Sequence, residues 1–199
     1  MKSKMLPGLY DDCKTTLKET SLDSQKGSEN KYVSESSLIV YNFDEEIKSK
    51  KIHSVRDKYC NDIHQLKLSE KMNACDAFYV DEQGNNERYL IEFKNSLLEN
   101  IAGKHTTIKE KMLGSLLLLT DITETNISSI REDTSFILVY SDAKNRIKSG
   151  LRPSGSSMPK KLNFEKYEKI FYKKCLILGS DVFQKQFVNI WEQKGGATA

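Results

Sequence analysis

The chain has 199 residues, of which 38% are hydrophobic and 30% are charged, and its formal net charge at pH 7 is +3. This length suits a single domain with an apolar core of its own. No apolar run approaches the roughly 20 residues of a membrane-spanning helix, and the first residues lack the apolar segment of a secretory signal. We therefore expect a cytoplasmic protein that does not enter a membrane.

Several common site chemistries are missing from the sequence. The four cysteines and three histidines are dispersed, and no pair has the spacing of a zinc site or a redox motif. There is no Walker loop, no Rossmann glycine pattern and no serine nucleophile elbow. These absences narrow the range of functions and do not decide among those that remain.

The chain begins with a polar segment. Residues 1–36 are poor in large apolar side chains, which is typical of a flexible N-terminal arm. The folded domain is predicted to span 37–194, and a loose tail follows at 195–199. The first predicted element of the domain is a short strand at 37–41, SLIVY.

A helix is predicted from Phe43, because acidic residues crowd its first turn and apolar side chains recur at rough helical spacing. The apolar positions are Phe43, Ile47, Ile52, Val55 and Tyr59. Glu45 lies near the edge of this stripe. After the helix, the alternating sequence at 63–68, IHQLKL, predicts a strand.

Two runs of aromatic, β-branched and aliphatic residues, 78–80 and 89–93, predict a pair of strands joined by a polar turn. Thr107 and Glu110 then form a capping-box pattern that begins a helix. The apolar side chains of this helix predict that it is buried against the sheet; they are Ile108, Met112, Leu116 and Leu119.

The C-terminal third alternates strand and helix patterns. The almost entirely apolar run 135–140 predicts a buried strand flanked by helices. A final strand is predicted at 172–178 and a terminal helix at 182–191. The residues of that helix predicted to face inward are Val182, Phe183, Phe187, Ile190 and Trp191. The succession of elements predicts a mixed α/β layer.

Three polar side chains are predicted to converge on neighbouring strands. Glu92 and Lys94 share one face of their strand, with Cα atoms about 7 Å apart. Asp76 begins the preceding strand, and an antiparallel return brings it beside them. Two carboxylates and an ammonium are suited to holding a divalent cation against a phosphodiester, so this trio is the predicted catalytic site.

The pattern resembles the PD-(D/E)xK nuclease superfamily, of which restriction endonucleases are members. The matching residues are Asp76, fifteen intervening residues, and then Glu92, Phe93 and Lys94; Cys75 stands where many members have proline. The resemblance implies a restriction-endonuclease-like α-β-β-β-α-β core, with a mixed sheet flanked by helices. It also implies a Mg²⁺ (or Mn²⁺) site held by Asp76 and Glu92, with a further carboxylate from Glu45.

A basic segment adds a possible contact with nucleic acid. Residues 144–174 contain ten Lys or Arg against two Glu, a local balance of +8, so the rest of the chain carries −5. A basic loop beside a phosphodiesterase site suits a phosphate backbone. The predicted contact residues are Lys109, Lys111, Arg146, Lys148, Arg152, Lys160 and Lys161.

These features favour a metal-dependent endonuclease that acts on DNA, or secondarily on RNA, as a possible homodimer. One alternative is a module of the same fold that has lost turnover and binds nucleic acid or a protein partner. A second alternative is an antitoxin-like or immunity-like partner protein, in which the motif is a coincidence. Salt-dependent DNA binding and Mg²⁺-dependent cleavage distinguish the three.

Overall fold

A computed structural model describes residues 6–22, 32–47, 50–65, 71–84, 86–103, 105–149 and 164–195. Six described strands form one mixed sheet whose spatial order follows the chain. They are β1 (Lys14–Thr16), β2 (Ile39–Asn42), β3 (Ala77–Asp81), β4 (Glu87–Lys94), β5 (Thr134–Tyr140) and β6 (Lys174–Gly179). The α/β class predicted from the sequence, a mixed sheet flanked by helices, is confirmed.

The described α-helices lie between and after the strands. They are α1 (Leu17–Thr20), α2 (Val55–Lys58), α3 (Leu98–Gly103), α4 (His105–Ile122), α5 (Ile127–Asp133), α6 (Asp142–Ser149), α7 (Glu165–Ile170), α8 (Ser180–Phe183) and α9 (Asn189–Gly195). A 3₁₀ helix, Gly8–Cys13, precedes β1. Two π-helical turns continue α2 and join α8 to α9, at Tyr59–Ile63 and Gln184–Val188.

The sheet changes direction at β4. Strands β1 to β4 pair antiparallel, whereas β5 and β6 run parallel to β4. Parallel neighbours need a crossover, and helices α3, α4 and α5 supply it between β4 and β5. Strand β4 therefore pairs with a strand on each side. One of these, β3, begins directly after Asp76.

Each face of the sheet has its own apolar core. Leu90 belongs to the core that packs against α4, whereas Ile91 and Phe93 belong to the core that packs against Phe183 and Trp191 of the C-terminal helices. This alternation confirms the predicted faces of β4. The four side chains of α4 predicted to be buried, Ile108, Met112, Leu116 and Leu119, are buried, and Leu118 and Ser115 are buried as well.

The N-terminal segment differs from the flexible arm predicted for 1–36. Its described part, 6–22 and 32–36, contains the 3₁₀ helix, β1 and α1, and β1 pairs with β2. Tyr10, Cys13 and Leu17 are buried in the two cores. The polar composition misled the prediction, because the few apolar residues of the segment are the ones that pack.

The helix predicted from Phe43 is wrong for its first half. Helix α2 begins at Val55, where the hydroxyl of Ser54 accepts a hydrogen bond from the Asp57 N–H at 3.0 Å. Upstream, the Asn42 side chain donates to the carbonyls of Glu45 and His53 at 2.7 and 3.0 Å. These bonds stabilise a loop where the apolar spacing predicted a helix.

Two further predictions about elements need correction. Ile63 ends a π-helical turn and is not in a strand, while 66–68 of the predicted strand lie outside the described residues. In the C-terminal helical segment, Phe183 and Trp191 are buried as predicted, but Val182 and Ile190 are exposed. The predicted strands at 37–41, 78–80, 89–93, 135–140 and 172–178 all correspond to strands of the sheet. Across the described ranges, no helix combines the length and the apolar character needed to cross a bilayer.

Truncation of Leu17 tests whether the N-terminal segment belongs to the fold. Leu17 is fully buried, so we expect Leu17→Ala to lower the free energy of unfolding by about 2–5 kcal/mol. Leu9, on the 3₁₀ helix, is 54% exposed, so Leu9→Ala is expected to change the free energy of unfolding by about 0.5 kcal/mol or less. Urea denaturation measures both values, and two equally small effects would contradict the packing described.

Candidate functional site

Asp76 and Glu92 lie side by side because of the register of β3 and β4. Ala77 pairs with Ile91, which brings Asp76, the residue before β3, next to Glu92. The Asp76 carboxylate accepts a hydrogen bond from the Phe93 N–H at 2.6 Å. The backbone of β4 therefore fixes the orientation of this carboxylate.

Glu92 and Lys94 point to the same side of β4, as their spacing predicted. The Glu92 side chain is fully buried, and the Lys94 ammonium contacts its Oε1. Because a buried carboxylate needs a partner to offset its lost hydration, this contact couples the two residues. The three predicted catalytic residues thus occupy adjacent positions at one end of β3 and β4.

The ammonium of Lys111 lies among three carboxylates. Its Nζ is 2.8 Å from Oδ2 of Asp44, 3.0 Å from Oδ1 of Asp76 and 3.1 Å from Oε2 of Glu92. We refer to Asp44, Asp76 and Glu92 as the carboxylate cluster. These residues come from the loop after β2, the start of β3 and the end of β4, so one ammonium connects three segments that are far apart in sequence.

Close packing of α4 brings Lys111 to this position. The Ser115 hydroxyl accepts a hydrogen bond from the Cys75 N–H at 2.7 Å, which ties α4 to the residue before Asp76. Gly114 allows the helix to approach this closely, since a Cβ there would lie 2.0 Å from the carbonyl oxygen of Asn73. Lys111 lies one helical turn before Ser115, on the same face of α4, and this face is turned toward Asp76.

Arg56 completes the charge balance of the site. Its guanidinium is buried; it contacts Oδ1 of Asp44 through Nη1 and lies 3.2 Å from Oδ1 of Asp57 through Nη2. Asp57 in turn lies 2.7 Å from the ammonium of Lys71. The carboxylate cluster carries three formal negative charges, and Lys94, Lys111 and Arg56 supply three positive ones.

Burial and charge shift the pKa values of the site in both directions. Burial raises the pKa of Glu92 to about 7, and the negative charge of Asp76 adds to this, while Lys111 and Lys94 oppose it. Burial also raises the pKa of Asp44 against the opposing effect of Lys111 and Arg56. Burial acts to lower the pKa of Lys111, but the carboxylates of Asp76, Glu92 and Asp44 outweigh it, and the pKa is raised.

Asp44, and not the predicted Glu45, joins the site. The Glu45 side chain is 78% exposed, and its carboxylate lies 4.0 Å from Nη2 of Arg56, whereas Asp44 contacts Nη1 of the same guanidinium. The prediction placed Glu45 on a helix. The segment is a loop instead, and in it Asp44 faces the site and Glu45 faces outward. A carboxylate from this segment was expected, but the sequence alone did not identify it.

The structure describes the side chains of two of the seven predicted nucleic-acid contacts, Lys109 and Lys111. Lys111 is 12% exposed and engaged with the carboxylate cluster, and the Nζ of Lys109 lies 6.0 Å from the ring centre of Tyr167. Arg146 and Lys148 belong to α6, of which only the backbone is described at these positions. The predicted contacts Arg152, Lys160 and Lys161 lie outside the described residues.

The described residues contain no group of three or more His, Cys, Asp or Glu side chains arranged to hold a metal ion. The carboxylate cluster is instead spaced around an ammonium, whose 2.8–3.1 Å contacts are longer than the metal–oxygen distances of Mg²⁺, about 2.0–2.1 Å. No family model, curated protein or solved structure matches the chain. The geometry and chemistry of the site therefore carry the functional interpretation.

Replacing Glu92 by Gln is expected to change the pH dependence of stability. The pKa of Glu92 is about 7 in the folded protein against 4.5 for the free side chain, so the folded state binds this proton more tightly than the unfolded state. The contribution of Glu92 to the free energy of unfolding is therefore fully present below about pH 4.5 and is lost as pH rises through about 7.

We expect the free energy of unfolding of Glu92→Gln, relative to wild type, to rise by roughly 1–3 kcal/mol between about pH 5 and about pH 8. Urea denaturation at several pH values measures the difference. A difference independent of pH would show that Glu92 titrates normally.

Proposed function

We propose that the protein is a divalent-cation-dependent phosphodiesterase that cleaves nucleic acid, with DNA as the first candidate substrate and RNA as the second. The observation that carries this proposal is the meeting of Asp76, Glu92 and Lys94 with Asp44 and Lys111 in one buried, charged site. Buried ionisable groups with shifted pKa values, gathered from distant segments, are more frequent at functional sites than elsewhere.

The order of elements supports the resemblance to the restriction-endonuclease-like core. Strands β2, β3 and β4 are antiparallel, α4 follows, and β5 returns parallel to β4. This order is compatible with the β-β-β-α-β part of the core that the resemblance implies, with Asp76 directly before its second strand and Glu92 on its third. The described residues of 43–54 do not form the helix expected before these strands, so the support rests on the later elements.

The carboxylate cluster fits a divalent cation in its chemistry. Its donors are carboxylate oxygens, the ligands that Mg²⁺ and Mn²⁺ prefer. A positive charge already lies at its centre, in the form of the Lys111 ammonium. Asp44, Asp76 and Glu92 would hold the cation, with Asp44 in the place that the sequence assigned to Glu45.

When bound, the cation would supply positive charge to the phosphoryl oxygens and lower the pKa of a water molecule. The protein side chains orient the reaction. The Phe93 N–H fixes the Asp76 carboxylate, and buried Glu92 holds the Lys94 amine at the edge of the site. Lys94 is thereby positioned to donate to a phosphate oxygen and to stabilise the charge that develops there.

A second candidate is a non-catalytic module of the same fold that binds nucleic acid or a protein partner. The observation in its favour is that the three carboxylates are balanced by Lys94, Lys111 and Arg56 without any added ion. A cluster that is neutral without a bound ion is able to hold segments of the fold together without any role in catalysis. Cleavage assays separate the two candidates.

Cleavage of labelled DNA and RNA in Mg²⁺, with and without EDTA, tests the proposal. We expect Asp76→Asn, Glu92→Gln and Lys94→Met each to lower the cleavage rate by roughly 100-fold or more. Each substitution removes a charge that would bind the cation or stabilise the transition state. Glu46→Gln, a change at an exposed acid nearby, serves as the control and should retain the rate. Equal rates for the triple variant and wild type would refute the assignment.

A paired substitution decides which neighbouring acid belongs to the site. We expect Asp44→Asn to lower the cleavage rate by roughly 10-fold or more, since Asp44 faces the Lys111 ammonium. Glu45→Gln is expected to leave the rate unchanged, since its carboxylate is exposed. The opposite pattern would restore Glu45 as the third carboxylate.

The basic segment remains the proposed contact with the phosphate backbone. Its members Arg146, Lys148, Arg152, Lys160 and Lys161 lie close in sequence after β5, the strand that neighbours Glu92 and Lys94. A homodimer, with one site for each strand of a duplex, is the proposed assembly.

A further inference from the structure

We propose that Lys111 is an internal cation that fills the carboxylate cluster when no divalent ion is bound, and that it competes with that ion for the cluster. This inference rests on the proposed function, because it concerns the same site. It assigns to Lys111 a role different from the surface contact that the sequence suggested.

The geometry around Lys111 supports this role. A single ammonium lies within 3.1 Å of one oxygen from each of three carboxylates, and these come from three separate segments. A position surrounded by three carboxylates also attracts a divalent cation strongly. The ammonium therefore occupies the space that the cation would need.

The ammonium and a divalent ion exclude each other for two reasons. Ligand oxygens lie about 2.0–2.1 Å from Mg²⁺ and about 2.3–2.6 Å from Ca²⁺, so the oxygens must move inward from their distances to Lys111. An amine left at the centre would collide with them. It would also place a positive charge next to the ion, which opposes binding.

Lysine is well suited to leaving the cluster and remaining nearby. Its ammonium is a compact charge on a flexible four-carbon stem, so the amine is able to move while the Cα stays on α4. A displaced amine remains within one side-chain length of the ion and is available to a phosphate bound there. Lys111 then acts beside Lys94 as a second positive charge on the substrate.

Calorimetric titration with Ca²⁺ tests the competition without depending on turnover. We expect Lys111→Met to bind Ca²⁺ at least 10-fold more tightly than wild type, because the ion no longer displaces an ammonium. Lys109→Met is the matched control: Lys109 lies on the same helix but approaches the Tyr167 ring, so its loss should leave the Ca²⁺ affinity unchanged. An unchanged or weaker affinity for Lys111→Met would overturn the proposal.

A second measurement uses the wild-type protein and so does not depend on how well the variant folds. Acetic anhydride acylates the neutral amine, and an ammonium held by three carboxylates reacts slowly. We expect the acylation rate of Lys111, followed by mass spectrometry of peptides, to rise at least 10-fold when Ca²⁺ replaces EDTA. The rate of Lys109 should stay constant. A Lys111 rate that does not respond to Ca²⁺ would overturn the proposal.

The outcomes separate this inference from the proposed function. Wild-type cleavage together with no effect of Lys111 on Ca²⁺ affinity would refute the internal cation and leave the phosphodiesterase intact. Tighter Ca²⁺ binding by Lys111→Met, with no cleavage by wild type, would support the internal cation and refute the activity. Absence of Ca²⁺ binding in both proteins would refute the internal cation, and absence of Mg²⁺-dependent cleavage in addition would refute both.

Discussion

The structure around the candidate site depends on the contact between the Lys111 ammonium and the carboxylates of Asp44, Asp76 and Glu92. Glu92 is fully buried, and Asp44 and Asp76 are partly buried. These neighbouring carboxylates repel one another and lose hydration on folding, so they require a positive charge between them. Lys111 supplies that charge from a helix that crosses the sheet face. The same contact joins the loop after β2, the start of β3, the end of β4 and α4 into one unit.

The charge balance of this arrangement bears on the proposed activity. A cluster of three negative and three positive formal charges is balanced without any bound ion, provided that each partner stays in place. A cation-dependent enzyme needs the same carboxylates for its ion. Under the proposed function, competition for the carboxylate cluster would link the charge balance to the activity, since an ion that binds there must first replace the internal contact.

The site also depends on contacts other than those between Lys111 and the carboxylate cluster. Gly114 and Ser115 set the distance between α4 and the start of β3. Arg56 fixes the orientation of Asp44, and α2 begins where Ser54 caps it. Small changes in these supporting contacts would move a carboxylate and change its interaction energy with Lys111, because charge interactions in a buried site are strong and depend on distance.

The sequence by itself determined the α/β class, the β3–β4 pair, the buried face of α4, and the meeting of Asp76, Glu92 and Lys94, because each follows from local periodicity or from the reach of a hairpin. It did not determine the packed N-terminal segment, in which Tyr10 and Leu17 are sparse within polar sequence. Nor did it identify Asp44 over Glu45 or bring Lys111 into the site. Those choices depend on a loop stabilised by Asn42 and on how closely α4 docks, and only the tertiary structure decides contacts between segments so distant in the chain.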